Sequence, residues 1–318
     1  MKTPETLQEA IVYFSDPQRV FDYAVKLRWP DGKVTCPRCH GAKHSFIKTR
    51  RIWFCYDCKK QFTLKIGTVL EDSPISLDKW MAAFWMLVNC KNGVSSLEIH
   101  RALGVTQKTA WFMLQRLRLA LHETHSGKLQ GHVEVDETFI GGKARFMHAD
   151  RRAKASARGF AKGMANKVIV GGMLQRDGKV RTKILPNRER PTLHALVKEN
   201  VERGAHLSTD DCHSYRGLYT DYIHQIVDHA ETYVIGKVHT NGLENFWSLV
   251  KRGLKGTYIS VEPFHLFRYL DEQVFRYNNR ATKKHFVSDS HRFEMAFPQI
   301  ADKRLTYDEV IGRRAEQP

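Results

Sequence analysis

Two pairs of cysteines, "CPRC" at Cys36 and Cys39 and "CYDC" at Cys55 and Cys58, are separated by fifteen residues and limit what the first part of this chain can become. A C-x2-C turn presents two sulfurs on one side of a tight knuckle. A hairpin that joins two such knuckles offers four thiolates in a tetrahedron, which is how structural zinc is bound. The string "CPRCH" also spells a haem-attachment site, but that chemistry needs export and leaves the second pair unexplained. Between the pairs, "HSFIKTRRIWFCYDC" alternates apolar and polar residues as short strands do. Residues 1–70 are therefore expected to hold N-terminal helices and a zinc ribbon with Zn2+ on Cys36, Cys39, Cys55 and Cys58. Cys90 and Cys212 stand singly and read as small buried side chains.

Charge points to the partner. The 318 residues carry 51 Lys and Arg against 34 Asp and Glu, a formal +17, so a polyanion is expected and nucleic acid comes first. A basic membrane-surface protein is the competing class. Against it, the chain has no apolar run of about 18 residues, no signal-peptide pattern in "MKTPETLQEA" and no lipidation motif. A soluble, cytoplasmic, nucleoid-associated protein with no membrane role is the expectation.

Residues 4–28 show helical periodicity interrupted near Ser15–Pro17, and 77–90 form a strongly apolar helix. In the segment that follows, Ser95 and Glu98 make a capping box, Gly104 supplies a tight turn, and Thr106 caps a longer helix carrying Ala110, Met113, Leu114, Leu117 and Leu121. Helix, glycine turn, helix is the pattern of a helix-turn-helix over 71–124, which would leave Gln107, Lys108, Thr109, Gln115 and Arg116 for DNA. An ordinary helical hairpin has the same spacing.

After the polar stretch 122–131 the period changes to two. Three strands ("HVEVDETFIGG", "NKVIVGGMLQRDGKV", "RTKILPN"), a helix, a strand "AHLSTDD", a short helix, a strand "YIHQIVDHA" and a helix from 241 follow in that order over 130–280. This succession is that of a ribonuclease-H-like mixed sheet flanked by helices, an α/β catalytic domain in an otherwise α+β, multidomain chain. Between the first two strands, "KARFMHADRRAKASARGFAKGMANK" carries eight cations, Arg151 and Arg152 among them, against Asp150 alone. It reads equally as a solvated loop and as a loop that tracks DNA. Residues 281–318 read as a partly ordered tail.

Three acidic positions stand out. Asp136 lies near the end of the first strand and Asp210 at the end of the fourth, where reactive groups collect in open α/β sheets. In "HTNGLENFWSLVKRGLKG", Leu243, Phe246, Trp247, Val250 and Leu254 make an apolar stripe, leaving Asn241, Glu244, Ser248 and Lys251 on a separate polar face. A solvated face with a weak ion pair is the simple explanation of Glu244. Convergence with the two aspartates would instead need a divalent cation, and hard oxygen donors select Mg2+ or Mn2+. Glu137 should point away from Asp136 across the strand; it and Glu134 read as structural or electrostatic, and Trp247 as core.

The spacing of Asp136, Asp210, Glu244 and Lys251 resembles the DDE-plus-basic pattern of transposases and integrases. More narrowly, "VEVDETFIGGK", "STDDCHSY", "HTNGLENFWSLVKRGLKGTY" and "HLFRYLDEQVFRYNNR" behind a zinc ribbon resemble the insertion sequence 1595 family over roughly residues 15–280. The resemblance implies a DNA transposase whose helix-turn-helix binds terminal inverted repeats. Asp136, Asp210 and Glu244 would be the catalytic ligands of Mg2+ or Mn2+, and Lys251, beside Arg252, a phosphate contact. Asn241 and Asn245 would be auxiliaries, since some relatives carry Asn for the third acid. Cleavage at element ends and joining of the 3'-hydroxyl to target DNA would need both ends, hence a homodimer or larger assembly on double-stranded DNA. A metal-dependent nuclease or resolvase without strand transfer, and a non-catalytic DNA-binding regulator, are the alternatives.

Overall fold

The computed structural model describes residues 3–123, 127–142, 149–150, 167–227, 240–283 and 285–313. Its contacts divide the chain into two units, residues 1–122 with 279–318, and residues 123–278.

In the first unit, helices α1 (Leu7–Phe14) and α2 (Pro17–Arg28) start at Thr6, in a capping box with Glu9, and at Asp16, which accepts from the Gln18 and Arg19 amides. Strands β1 (His44–Ile47), β2 (Ile52–Cys55) and β3 (Gln61–Phe62) form an antiparallel ribbon. The inward faces of β1–β3 set Phe46 and Trp53 against Phe21 of α2, and Trp53 stacks on Phe62. This aromatic layer gives a small ribbon a core that its length alone would not provide.

Helix α3 (Leu77–Asn89) is apolar nearly all round and correspondingly buried, with Trp80, Phe84 and Trp85 each 2% exposed or less. Helices α4 (Ser96–Leu103) and α5 (Gln107–Ala120) follow, with the Ser95–Glu98 capping box, a left-handed Gly104 at φ 61° and the Thr106 cap all formed. The left-handed turn suits glycine because a Cβ there is disfavoured.

The segment 281–318 differs from the expected tail. Helix α9 (Asp289–Ala296; α6 to α8 belong to the second unit) inserts Phe293 among Phe14, Tyr23, Phe84 and Trp85. The backbone at Ile300 and Ala301 then pairs with Val69 and Thr68, and the short helix α10 (Tyr307–Val310) follows. Its buried apolar residues, Val287, Phe293, Ala296, Phe297, Ile300, Leu305 and Val310, are divided among short helices and the turns between them, so no single period runs through the segment.

The second unit is built on a five-stranded mixed sheet of order β6-β5-β4-β7-β8. Strands β4 (His132–Ile140), β5 (Val168–Gln175) and β6 (Val180–Leu185) are antiparallel, and β7 (His206–Asp210) and β8 (Ile223–Val227) run parallel to β4. Parallel neighbours need a crossover, which α6 (Arg190–Asn200) supplies between β6 and β7. Helix α6 covers one face through Leu193, Leu196 and Val197, packed on Val133, Val135 and Leu207. Helices α7 (Asn241–Gly256) and α8 (Leu266–Asn278) cover the other with Leu243, Phe246, Trp247, Leu270 and Val274, packed on Val170 and Leu174. Among the described residues no helix is long and apolar enough to cross a membrane.

Candidate active site

Alternation along β4 sends Val133 and Val135 to the α6 face and Glu134 and Asp136 to the α7 face. Glu134, 1% exposed, accepts from the Arg176 guanidinium and the Leu243 amide, each at 3.0 Å. This satisfied buried carboxylate ties the first turn of α7 to β4 and so sets the helix that carries Glu244.

One turn on, the Trp247 indole donates to Asp136 Oδ2 at 3.0 Å, while the Glu137 amide donates to Oδ1 at 2.8 Å. Gly172 on β5 makes this possible, because a Cβ there would lie 2.5 Å from the Trp247 ring. Trp247, legible in sequence only as part of the apolar stripe, both fills the core and orients a carboxylate. An indole has one donor and no acceptor, so a buried tryptophan beside an acid at that spacing was the available signal.

Asp210 ends β7. The parallel register pairs His132 with His206 and Glu134 with Ser208, and the same offset carries Asp210 opposite Asp136. Ligand oxygens of Asp136, Glu137 and Asp210 all lie within 4.8 Å of one another. Glu137 does leave β4 on the opposite side from Asp136, yet hydrogen-bonded pairing of β4 and β7 stops at Glu134, and its carboxyl reaches Asp210 beyond that point. Sequence alternation gave its direction but not this gap.

Burial, then the charge of Asp210, raises the Asp136 pKa to about 6, against the hydrogen bonds from the Glu137 amide and Trp247. Burial raises Glu137 to about 7, opposed by Arg188 and reinforced by Asp210. The Arg188 guanidinium stands 3.5 Å from the Glu137 carboxylate. Among the described residues Asp210 Oδ1 is buried without a donor, and both Glu137 oxygens are buried without a well-formed hydrogen bond, the Tyr215 hydroxyl lying beside them. Crowded hard oxygens lacking donors are what a divalent cation satisfies, so the donor set fits Mg2+ or Mn2+.

Glu244 is exposed, accepts from the Thr240 hydroxyl at 3.3 Å, and lines an open cleft of about 420 Å³ with Asp136, Glu137, Thr138, Trp247, Ser248 and Lys251. It shares that cleft with Asp136 but stands outside the tighter trio. Asn241, Lys251 and Arg252 are exposed on α7. Arg151 and Arg152 lie outside the described residues.

In the first unit, Gln107 and Lys108 are exposed and Thr109 half-buried at the start of α5. Arg116 differs from expectation. It is 5% exposed, donates to the Glu71 carbonyl and lies over the Trp80 and Phe112 rings, so its guanidinium holds the helix in place and does not face a ligand. Gln115 is fully buried as well. At the ribbon, Cys36 and Cys58 sulfurs are 3.7 Å apart and those of Cys39 and Cys55 3.6 Å. A tetrahedral Zn–S bond of about 2.3 Å requires about 3.8 Å between sulfurs, so the four thiols fit zinc. The left-handed residues His40 and Lys59, each directly after a pair's second cysteine, close the two knuckles.

Comparison with known proteins agrees with this arrangement. The ISXO2-like transposase domain family matches residues 128–278, and the transposase zinc-ribbon domain family matches 16–61. An "Uncharacterized protein in transposable element ISH50" of Halobacterium salinarum is 27% identical over 252 residues, covering 76% of this chain and 84% of that protein. An "Uncharacterized transposase-like protein" of Haemophilus influenzae is 30% identical over 106 residues, 33% of this chain and 85% of its own length. With a zinc ribbon ahead of a mixed-sheet unit, and an acidic cluster that lies mid-strand on β4, short of the expected strand end, and at the end of β7, these matches mark the chain as a transposase. The chain belongs to the insertion sequence 1595 family.

Proposed function

We propose that the second unit is a ribonuclease-H-like DDE domain in which Asp136, Asp210 and Glu244 hold two Mg2+ or Mn2+ ions to cleave DNA at element ends and join the 3'-hydroxyl to target DNA. The observation that carries this is the register of β4 and β7, which brings Asp136 and Asp210 into one acidic cluster, with Glu244 lining the adjoining cleft. Strand order, with a three-stranded meander and two further strands parallel to its first member, supports the fold assignment.

Such ions, when bound, activate the attacking oxygen and stabilise the leaving 3' oxygen of an in-line displacement. The protein's part is to position and to screen. Trp247 and the Glu137 amide hold the Asp136 carboxylate by both oxygens, and Lys251 in the cleft offers its ammonium to a phosphate oxygen next to the scissile bond. Arg252 and Asn241, exposed on α7, extend that contact along the DNA backbone.

Helices α4 and α5 act as the helix-turn-helix for terminal repeats, with double-stranded DNA meeting the first turn of α5 at Gln107, Lys108 and Thr109. That limitation suits the motif, since recognition helices read bases mainly through their N-terminal residues. Zinc on the four cysteines is structural. Joining two element ends calls for at least a homodimer.

The test is a duplex ending in the element's own terminal sequence, incubated with Mn2+ and either wild-type protein or Asp136→Asn. Wild type nicks at the element end and, given pre-cut ends and target DNA, yields a joined product, whereas the variant binds the duplex without nicking. Equal nicking by both refutes the assignment.

A further inference from the structure

Glu137 has no role in the three-acid scheme, yet its surroundings are unusual for a spectator. Its side chain is wholly buried, and among the described residues the Tyr215 hydroxyl and Arg188 face it without either closing a well-formed hydrogen bond to its oxygens. Arg188, the cation beside it, approaches one oxygen at 3.5 Å and donates to the Cys212 sulfur at 3.6 Å. Beyond Arg188, the neighbouring donor is the Tyr215 hydroxyl. A buried carboxylate without donors is costly, so such groups are found paired, protonated or on a metal.

A second buried group points into the same place. Tyr215 is 0% exposed, and its hydroxyl, with no well-formed hydrogen bond among the described residues, lies against Glu137 and within electrostatic reach of Asp210. With Asp210 Oδ1 also buried and unpartnered among the described residues, oxygens from β4 and β7 crowd within 4.8 Å of one another, with the Tyr215 hydroxyl from the turn after β7 beside Glu137. The open side of the cluster is different in kind, because Glu244 is exposed and faces the cleft.

We infer that Glu137 is a fourth carboxylate ligand, joining Asp136 and Asp210 around an enclosed ion position, while Asp136 and Glu244 serve a second, open one. The inference rests on the metal-dependent reading above and adds an asymmetry to it. An ion at the enclosed position is held by protein oxygens that would otherwise be unsatisfied, and the open position leaves room for water or a phosphate oxygen. The enclosed position therefore binds first and more tightly, without DNA.

The experiment is a titration of the full-length, zinc-loaded protein with Mn2+ in the absence of DNA, with free Mn2+ read by electron paramagnetic resonance. Wild type is expected to show two classes of site. Glu137→Gln should weaken the tighter class by at least about 10-fold and leave the weaker one unchanged; Glu244→Gln should do the reverse. Glu137→Asp, which keeps the charge, should weaken the tighter class by less, and provides the measurement where the glutamine variant does not fold. A single class in wild type, or wild-type affinities in the Glu137 variants, overturns the inference. Asp136→Asn separates the two readings: loss of binding there with no change in the Glu137 variants removes only the role of Glu137, whereas wild-type binding by Asp136→Asn removes the metal site itself.

Discussion

Asp136→Asn should stabilise the metal-free protein while abolishing its chemistry. Burial and the neighbouring Asp210 charge lift Asp136 from 3.8 to about 6, a rise worth about 3 kcal/mol of penalty on the ionised, folded form. Below about pH 4 the acid is protonated whether folded or not, and there is no penalty. Between about pH 4 and 6 the unfolded chain has released a proton that the folded chain keeps, so stability falls as pH rises, and above about pH 6 the loss is complete. Asparagine removes the charge and keeps an acceptor for Trp247, but gives up one of the two hydrogen bonds to Asp136 at a cost of about 1 kcal/mol. The net gain at pH 8 is then about 2 kcal/mol, or roughly 4–8 °C in Tm for a unit of this size. The assay is thermal unfolding of zinc-loaded wild type and variant from pH 4 to 8, without added divalent ions and without chelator, which would strip the ribbon. Subtracting one protein from the other cancels the titrations that are not coupled to Asp136, and the easing of Glu137 in the variant adds to the gain in the same direction. Added Mg2+ should then raise the wild-type Tm and not the variant's. A difference that is flat across this range, or a variant less stable than wild type at pH 8, refutes the reasoning.

Gly172→Ala should push the Trp247 ring off Asp136, at about 1–3 kcal/mol of unfolding stability measured in urea, and reduce nicking with DNA affinity unchanged. Cys36→Ser should lower zinc to below one equivalent by metal analysis and abolish the cooperative melting of the ribbon, because the aromatic layer on α2 is small without the metal. Arg116→Ala should cost about 1.5–3 kcal/mol of stability by denaturant titration, through the loss of its charged hydrogen bond to the Glu71 carbonyl. Lys108→Ala should stay within about 0.5 kcal/mol of wild type while lowering the salt slope of DNA binding by about 1.

The parts legible in the sequence are those governed by local chemistry. Cysteine spacing gave the ribbon because a knuckle is four residues long. Ser95, Gly104 and Thr106 gave the turn between α4 and α5 because caps and left-handed turns are decided by the residues that form them. Period-two and period-three-to-four patterns gave the strands of the sheet and the buried stripe of α7, whose Leu243, Phe246, Trp247 and Val250 are all buried. Resemblance in the motifs around Asp136, Asp210 and Glu244 gave the family.

What only the tertiary structure decided depends on elements distant in sequence. Arg116 reads as a basic residue on a DNA-facing helix, but α3 packs across it, and a guanidinium with a long aliphatic stem can be buried when rings and a carbonyl receive it. Phe293 and its neighbours read as a tail, because their buried residues sit on short helices and turns too brief to repeat a period. Glu137 reads as pointing away from Asp136, and it does leave the strand that way. Its meeting with Asp210 comes from the end of pairing between β4 and β7, a property of two strands distant in sequence that neither contains alone.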